Sequence, residues 1–438
     1  MGTEGSAMAD SRSERRALVE AIVASTVGTT IEWYDFFLYG TMAAIVFPDL
    51  FFPTGDPFVS RILSFSSFTV GFIARPLGGV FFGYIGDRIG RKSSLVATLL
   101  LMGTSTILVG LLPGYDRIGV AAPLILTFLR FAQGIGVGGE WGGAVLLAIE
   151  YGHKGKRGFY GSWPQAGVPL GLLSSTIVVW FFQRFLPEQA FLDWGWRVPF
   201  YLSGLLIGVG LLIRMRILET PLFARLKATD QLSRSPVTEV LRGHWREVCL
   251  AAGSRLAEQS CFYLFALYVL DYGQNVLQVD RGTMLFAVTV AAAAEFAAMP
   301  AYGLLSDYLS RKFTFLVGSV AVMAYAFPYF ALLETRSVIW IVVAAIGSLA
   351  GGHAMIYSVQ ASLIPELFGT RLRYTGASLG YQLASPFAGG LAPIIAASLI
   401  KAFPGHYWPL ATYIIVISLI SLGCVQLLAE TSRKNIDS

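Results

Sequence analysis

An all-α membrane protein, with twelve spanning helices in two repeated six-helix bundles, is the fold this sequence predicts. Three observations carry the prediction. Of the 438 residues, 55% are hydrophobic and only 13% are charged, where a soluble domain carries about 25% charged residues. Apolar stretches of roughly 20 residues, the length that crosses a bilayer as a helix, recur along the whole chain. A compact basic turn between two of those stretches, GYIGDRIGRK at 83–92, returns 220 residues later as GLLSDYLSRK at 303–312. Gly83, Asp87, Arg91 and Lys92 repeat in register as Gly303, Asp307, Arg311 and Lys312. One such turn is an ordinary loop, but two at the same place in each half imply duplicated bundles.

The twelve stretches lie at 18–47, 62–87, 93–113, 121–150, 158–186, 197–217, 246–275, 283–306, 312–333, 338–360, 372–400 and 407–429. Residues 1–17 are polar and form an amino tail. The apolar run after them is too long and too acidic for a cleaved signal peptide, so it is the first span. Spans two and three flank the first basic turn. There the glycines let two helices turn and pack closely. Asp87 can cap a helix start, where the positive dipole end favours an anion. Span four contains Gly134-x-Gly136-x-Gly138-Gly139. That run sits inside an apolar helix rather than after a strand, so it reads as close helix packing and not as a dinucleotide site.

Spans five and six complete an N-terminal bundle at 18–217, and the longest polar interval, 218–245, is the linker to a C-terminal bundle at 246–430. A short tail, 431–438, follows. The duplication extends beyond the basic turn: Glu150, Arg157 and Ser162 recur as Glu366, Arg373 and Ser378, and Glu219-Thr220 recurs as Glu430-Thr431. An even number of spans returns both termini to one side. Lysine and arginine concentrate on the tails, linker and short loops of that side, which places it in the cytoplasm.

The net charge of +5 follows from that loop bias. No basic cluster interleaved with aromatics is present, so nucleic acid is not an expected partner. Cys249, Cys261 and Cys424 are odd in number and lack C-x-x-C spacing, and four scattered histidines give no zinc pattern. No nucleophile elbow or phosphate loop occurs in a suitable context, so the chain is not expected to be an enzyme. It is expected to act as a monomer in contact with membrane lipid.

Ionisable residues deep in a span cost about 2.5–3.5 kcal/mol on insertion scales, so each asks for a partner or a role. The first span carries Glu32 and Asp35 on one face, with Tyr39 a turn beyond. The fourth carries Arg130, Gln133 and Glu140. Counted from the outer helix ends, Asp35 and Arg130 lie at similar depth, so the two are expected to pair. Protonating the Asp removes its attraction to the Arg, which makes such a contact proton-dependent. A permanent structural ion pair is the plainer alternative. Glu32 and Glu140 are secondary candidates for the same role.

In the second half, Arg255, Glu258 and Gln259 share a face of the seventh span with Tyr263 one turn on. Arg offers a carboxylate a fork of donors while Gln and Tyr orient it. A self-satisfied Arg–Glu pair competes with that reading. Arg75 and Glu295 stand as lone charges, and bracing of the helix packing is favoured for Arg75. Softer candidates are Trp163 and Gln165, His353 and Tyr357, and Tyr381 and Gln382, residues that more often pack than bind.

The strings TIEWYDFFLYG, FIARPLGGVFFGYIGDRIGRK, LRFAQGIGVGGEWGGA and PELFGTRLRYTGASLGYQLA together resemble the metabolite:proton symporter family of the major facilitator superfamily. They span residues 30–384. The resemblance implies a bacterial inner-membrane transporter that works by alternating access and proton symport, with no cofactor beyond the coupling proton. Its substrates would be small organic acids or zwitterionic osmolytes. It gives Asp35 and Arg130 the coupling role of related sugar symporters, and it makes Gly83, Asp87, Arg91, Asp307, Arg311, Glu150, Arg157, Glu366 and Arg373 gating residues. Two departures stand out. Tyr308 and Ser310 replace the Arg88 and Gly90 of the first turn, so the second is expected to gate more weakly. The chain also ends soon after the last span, without the long coiled coil of the osmosensing members. Import of a small organic anion is therefore the leading expectation. Drug efflux, osmolyte import and a non-transporting receptor or scaffold are the alternatives. For efflux, the glycine–proline signature of the fifth span is only partly matched, at Gly167, Pro169 and Gly171.

Overall fold

A computed structural model describes residues 2–153, 155–216 and 219–432; among those 2–15, 216 and 221 are described in backbone only. Among the described residues there are twelve long helical segments, and the predicted all-α architecture of two six-helix bundles is borne out. In the first bundle α1 is Gly2–Ile45, α2 Pro57–Arg88, α3 Arg91–Leu111, α4 Ala121–Tyr151, α5 Arg157–Phe185 and α6 Val198–Arg216. In the second, α7 starts as Trp245–Tyr263 and runs on through wider π turns to Val276, α8 is Arg281–Tyr308 and α9 Arg311–Glu334. The last three are α10 Val338–Glu366, α11 Arg373–Ala402 and α12 Trp408–Leu427. Ten of these are long and apolar enough to cross a membrane. The others are α1 and α7, the helices that carry Glu32 and Asp35 or Arg255 and Glu258.

Two differences from the sequence reading are local. The backbone of α1 is already helical at Gly2, well before the predicted start at 18. The linker contains two short helices, Pro221–Ala228 and Pro236–Gly243, each started by a proline whose missing N–H costs nothing there. Residues 217–218 of its approach and 433–438 of the predicted tail lie outside the described residues.

Helix starts follow capping chemistry. Asp56 accepts from Phe58 N at 2.8 Å ahead of α2, Asp280 from Thr283 N at 3.1 Å ahead of α8, and Ser310 from Phe313 N at 3.1 Å ahead of α9. The glycines of α4 do what their spacing predicted. Gly134 and Gly138 lie against the main chain of Gly71 and Arg75 on α2, so a side chain there would strike backbone. In the second bundle π turns interrupt α7, α10 (Gly347–His353) and α11 (Pro386–Gly390). Each changes the facing of the residues after it, a feature frequent at functional sites. A continuous apolar core joins the bundles, with Trp33, Phe36, Phe72 and Trp141 of the first packed among Phe262, Tyr263, Tyr357 and Tyr381 of the second.

Candidate functional site

Between the bundles the chain buries an unusual amount of charge. Arg75, Arg130, Arg255, Asp35, Glu258, Glu295 and His353 are all at most 4% exposed.

Asp35 and Arg130 do not form the direct pair their depths suggested. Asp35 accepts instead from Thr106 Oγ1 of α3 at 2.9 Å and Ser203 Oγ of α6 at 2.5 Å. The link to Arg130 is a relay. Arg130 Nη1 donates to Gln133 Oε1 at 3.2 Å, Gln133 Nε2 donates to Thr106 Oγ1 at 2.8 Å, and Thr106 donates to Asp35. Every donor in that chain points toward the carboxylate. The physical reason for the correction is local: two hydroxyls are nearer to Asp35 and saturate it, while three rings hold the guanidinium away. Arg130 Cζ lies 4.6 Å from the Phe36 centroid, 4.4 Å from Tyr39 and 4.7 Å from Phe68.

Arg75 shares that aromatic cluster, 4.7 Å from both Phe36 and Phe72 and 5.4 Å from Trp33. It has no ion pair among the described residues, and its Nε and Nη2 lack hydrogen-bond partners, as do Nε and Nη2 of Arg130. Tyr263 closes the cluster from the second bundle, its ring 5.3 Å from Phe72 and 6.3 Å from Phe36, with an unpartnered hydroxyl. Tyr39 shares a 2.8 Å hydrogen bond with Ser67.

On the α7 face, Arg255 Nε is 3.2 Å from Glu258 Oε2, and its Cζ sits 3.2 Å from the Tyr381 centroid. Tyr381 stacks on Trp141 of α4 at 3.5 Å and shares a 3.1 Å hydrogen bond with Tyr357. Glu295 is not a lone charge: its Oε1 is 2.5 Å from His353 Nδ1, and His353 Nε2 is 3.4 Å from Glu258 Oε1. Gln165 accepts from Trp141 Nε1 at 2.8 Å and donates to Tyr357 O at 3.0 Å. Gln259 donates to Ser385 at 3.4 Å, and Gln382 donates to Val137 O at 3.3 Å, so both help to bind α7, α11 and α4 together.

Three candidates sit apart from the cluster or are already occupied. Trp163 packs edge-on against Phe159 and Phe296 and is only half-buried. Glu140 is bound by Arg214 and accepts from Thr98 at 2.8 Å. Glu32 is buried and makes no hydrogen bond or ion pair among the described residues. The residues that sequence reasoning missed are Thr106, Ser203, Trp141 and Arg214. The first three are ordinary components of membrane helices, and only Arg214, near the end of α6, carried a charge signal.

At the end that holds both basic turns, the repeat becomes a pair of reciprocal clamps. Asp87 accepts from Tyr374 N at 3.2 Å and Thr375 N at 2.8 Å, the first turn of α11 in the opposite bundle. Asp307 accepts from Gly158 N at 2.8 Å and Phe159 N at 2.9 Å, the first turn of α5 across the interface. Arg91 pairs with Asp87 at 3.0 Å and lies 3.8 Å from Glu150, which Arg373 meets at 3.4 Å. Arg311 pairs with Asp307 at 2.7 Å and with Glu366 at 3.3 Å, which Arg157 meets at 3.4 Å. Gly83 packs against Thr375. The second turn is thus no poorer in contacts than the first. Glu219 accepts from Arg91 N at 3.1 Å and Glu430 from Arg311 N at 3.2 Å, completing the correspondence. Bundle is tied to bundle at this end, and the central charges are closed to solvent.

Comparison with known proteins agrees with this geometry. The model of the family described as sugar (and other) transporter matches residues 21–248. The inner membrane metabolite transport protein YhjE of Escherichia coli K12 is 38% identical over 385 residues, covering 87% of each chain. The shikimate transporter of the same strain is 38% identical over 425 residues, 97% of this chain and 96% of its own. Its proline/betaine transporter is 34% identical over 426 residues, 95% of this chain and 84% of its own. A solved structure of the proton:xylose symporter XylE, bound to 6-bromo-6-deoxy-D-glucose, shares the fold at a TM-score of 0.79 and 14% identity, covering 97% of this chain and 98% of that one.

Proposed function

The chain belongs to the sugar (and other) transporter family, among the metabolite:proton symporters of the major facilitator superfamily, and on that premise we propose that it imports a small organic anion together with a proton. It is a transporter and not an enzyme. In this reading it is a multi-pass protein of the bacterial inner membrane, with tails, linker and both basic turns in the cytoplasm and no cofactor but the coupling proton.

The observation that carries the anion reading is an unfilled donor set. Nε and Nη2 of Arg75, Nη1 of Arg255 and the Tyr263 hydroxyl are buried at the bundle interface without hydrogen-bond partners. Buried donors left empty are costly, and a carboxylate that accepts from two guanidinium groups satisfies them. Likeness to a shikimate transporter supports the same class. Asp35 is the proton carrier: protonation removes the negative charge on which the relay from Arg130 ends. The clamps hold the cytoplasmic end shut until proton and anion are both aboard. Then the bundles rock about the central site.

A second reading, a zwitterionic osmolyte, has the likeness to a proline/betaine transporter behind it. A quaternary ammonium would need the Trp33, Phe36 and Phe72 rings that Arg75 covers, so the geometry favours the anion. The test is uptake of labelled shikimate and other carboxylates into proteoliposomes under an inward proton gradient, with glycine betaine as competitor. Accumulation that collapses with a protonophore, and is retained as exchange but not as accumulation in Asp35→Asn, supports the reading. Betaine uptake without carboxylate uptake overturns it.

A further inference from the structure

The coupling step above uses Asp35 in the first bundle and leaves a second titratable assembly unexplained. His353 lies between two carboxylates, with Nδ1 2.5 Å from Glu295 Oε1 and Nε2 3.4 Å from Glu258 Oε1. Glu258 is in turn the ion-pair partner of Arg255 at 3.2 Å. The cluster draws on three helices, α7, α8 and α10, and His353 is the last residue of the π turn Gly347–His353. Oε2 of Glu295 is buried without a hydrogen-bond partner, either an uncompensated acceptor or a place where a proton sits. Oε2 of Glu258 makes no hydrogen bond and is compensated only by the Arg255 guanidinium, so it becomes such a place once Arg255 turns to another carboxylate.

Charge balance decides what the assembly can do. With Arg255 and His353 cationic and both glutamates ionised it is neutral, the state a low-dielectric interior favours. A substrate carboxylate that engages the free donors of Arg255 brings one negative charge into the same space. Arg75, which has no ion pair among the described residues, offsets the charge of the anion itself. Arg255, however, is then shared between that anion and Glu258, and a proton on Glu258 relieves the competition. The acceptor best placed is Glu258, because the arriving carboxylate competes for the guanidinium that holds it ionised. The other titratable groups around the histidine do not supply an alternative. Tyr357 stacks on it at 5.4 Å, Cys261 is on α7, and α9, packed on the same turn, has no charged residue between Phe313 and Leu333, only hydroxyls such as those of Tyr325 and Tyr329.

We propose that the Arg255–Glu258–His353–Glu295 cluster is a second proton site, in the C-terminal bundle, which takes up one proton together with the substrate carboxylate. The proton comes from the outer aqueous side, resides on Glu258 Oε2 while the anion occupies Arg255, and leaves to the cytoplasm when the anion does. His353 and Glu295 are positioning residues that hold the Glu258 carboxyl in place. The proposal rests on the anion reading above, so its test separates the two.

In weakly buffered detergent solution, a pH dye reads proton uptake on addition of shikimate, citrate or oxoglutarate, while an infrared pH titration reads protonated carboxyl groups without any ligand. The expected result is that Asp35→Asn still takes up the Glu258 proton when an anion binds, whereas Glu258→Gln takes up one proton fewer per bound anion than wild type. The infrared titration should lose a carboxyl band in Glu258→Gln distinct from the one lost in Asp35→Asn. Glu295→Gln and His353→Gln should shift the pH midpoint of the Glu258 band without removing it, which guards against a folding defect in any one variant. Unchanged proton uptake in Glu258→Gln, or the absence of a titrating band assigned to it, overturns the second site. If none of the three acids binds while the Glu258 band is present, the anion reading fails and the joint uptake with it, and only the titration of Glu258 is left.

Discussion

At the scale of single residues, the relay from Arg130 to Asp35 shows how a charge can be felt across a gap it never closes. Two neutral side chains, Gln133 and Thr106, each donate onward toward the carboxylate, and such chains polarise cooperatively in a dry interior. Counting residues from helix ends put Asp35 and Arg130 at one level, which is what helix geometry makes legible. That serine and threonine hydroxyls would intervene was not legible, because such residues are scattered through every span. Glu295 read as isolated for a similar reason: its partner His353 is on another helix, and one sequence does not reveal which faces meet. Gln133→Leu keeps the size of the side chain and removes both of its hydrogen bonds. A hydrogen bond to a charged group is worth about 1.5–3 kcal/mol, so gradient-driven accumulation should fall by about tenfold or more. Counterflow exchange should persist. Thr106→Ser, which keeps the hydroxyl, should stay near wild type. Wild-type accumulation by Gln133→Leu in proteoliposomes would remove the relay from the mechanism.

At the scale of elements, the two basic turns are built differently although their sequences repeat. Gly90 has φ +146° and its α-carbon faces the Glu219 carboxylate, whereas Ser310 has φ 169°, extended backbone open to any residue. The loss of glycine in the second turn therefore costs nothing, because the backbone requirement for it exists only in the first. Gly90→Ala should lower the melting temperature of the purified protein, by strain of about 1–3 kcal/mol. Ser310→Ala should lose only a cap worth about 1 kcal/mol. Equal losses would contradict this account. The second turn also has a pH signature. Burial raises the Glu430 carboxyl, but the backbone N–H groups of Lys312, Ser432 and Arg311 outweigh it and hold the group below its ordinary value of 4.5. A depressed folded pKa means that the stabilisation is complete above the ordinary value and vanishes as pH falls through the lower one. Glu430→Gln should therefore destabilise the protein at neutral pH, with the difference from wild type closing only in strong acid.

At the scale of the whole molecule, duplication could be read from the sequence, but not the way the duplicated parts dock. The repeat states that each half has an Asp in a turn and a charged helix start. It does not state that each Asp caps a helix of the other half, since a motif repeated in register is equally consistent with docking inside its own bundle. That crossing makes both clamps part of one interface, closed at the cytoplasmic end in the proposed orientation. If the bundles move as rigid bodies, the clamps break in a single event and their free energies add. Asp87→Asn and Asp307→Asn each remove the charge from a cap on a helix N-terminus, worth about 1 kcal/mol, or roughly fivefold in population. Each variant should raise the ratio of open to closed cytoplasmic ends by about that factor, and the double variant by roughly the product, about 25-fold. Spin labels at Met215→Cys and Leu427→Cys report the separation, since both side chains are 64% exposed and stand at matching ends of α6 and α12. Electron–electron resonance distance distributions then give the two populations directly. A double variant that opens no further than either single one would mean that the ends loosen piecemeal, and the rocking of one bundle against the other would have to be replaced by local gating.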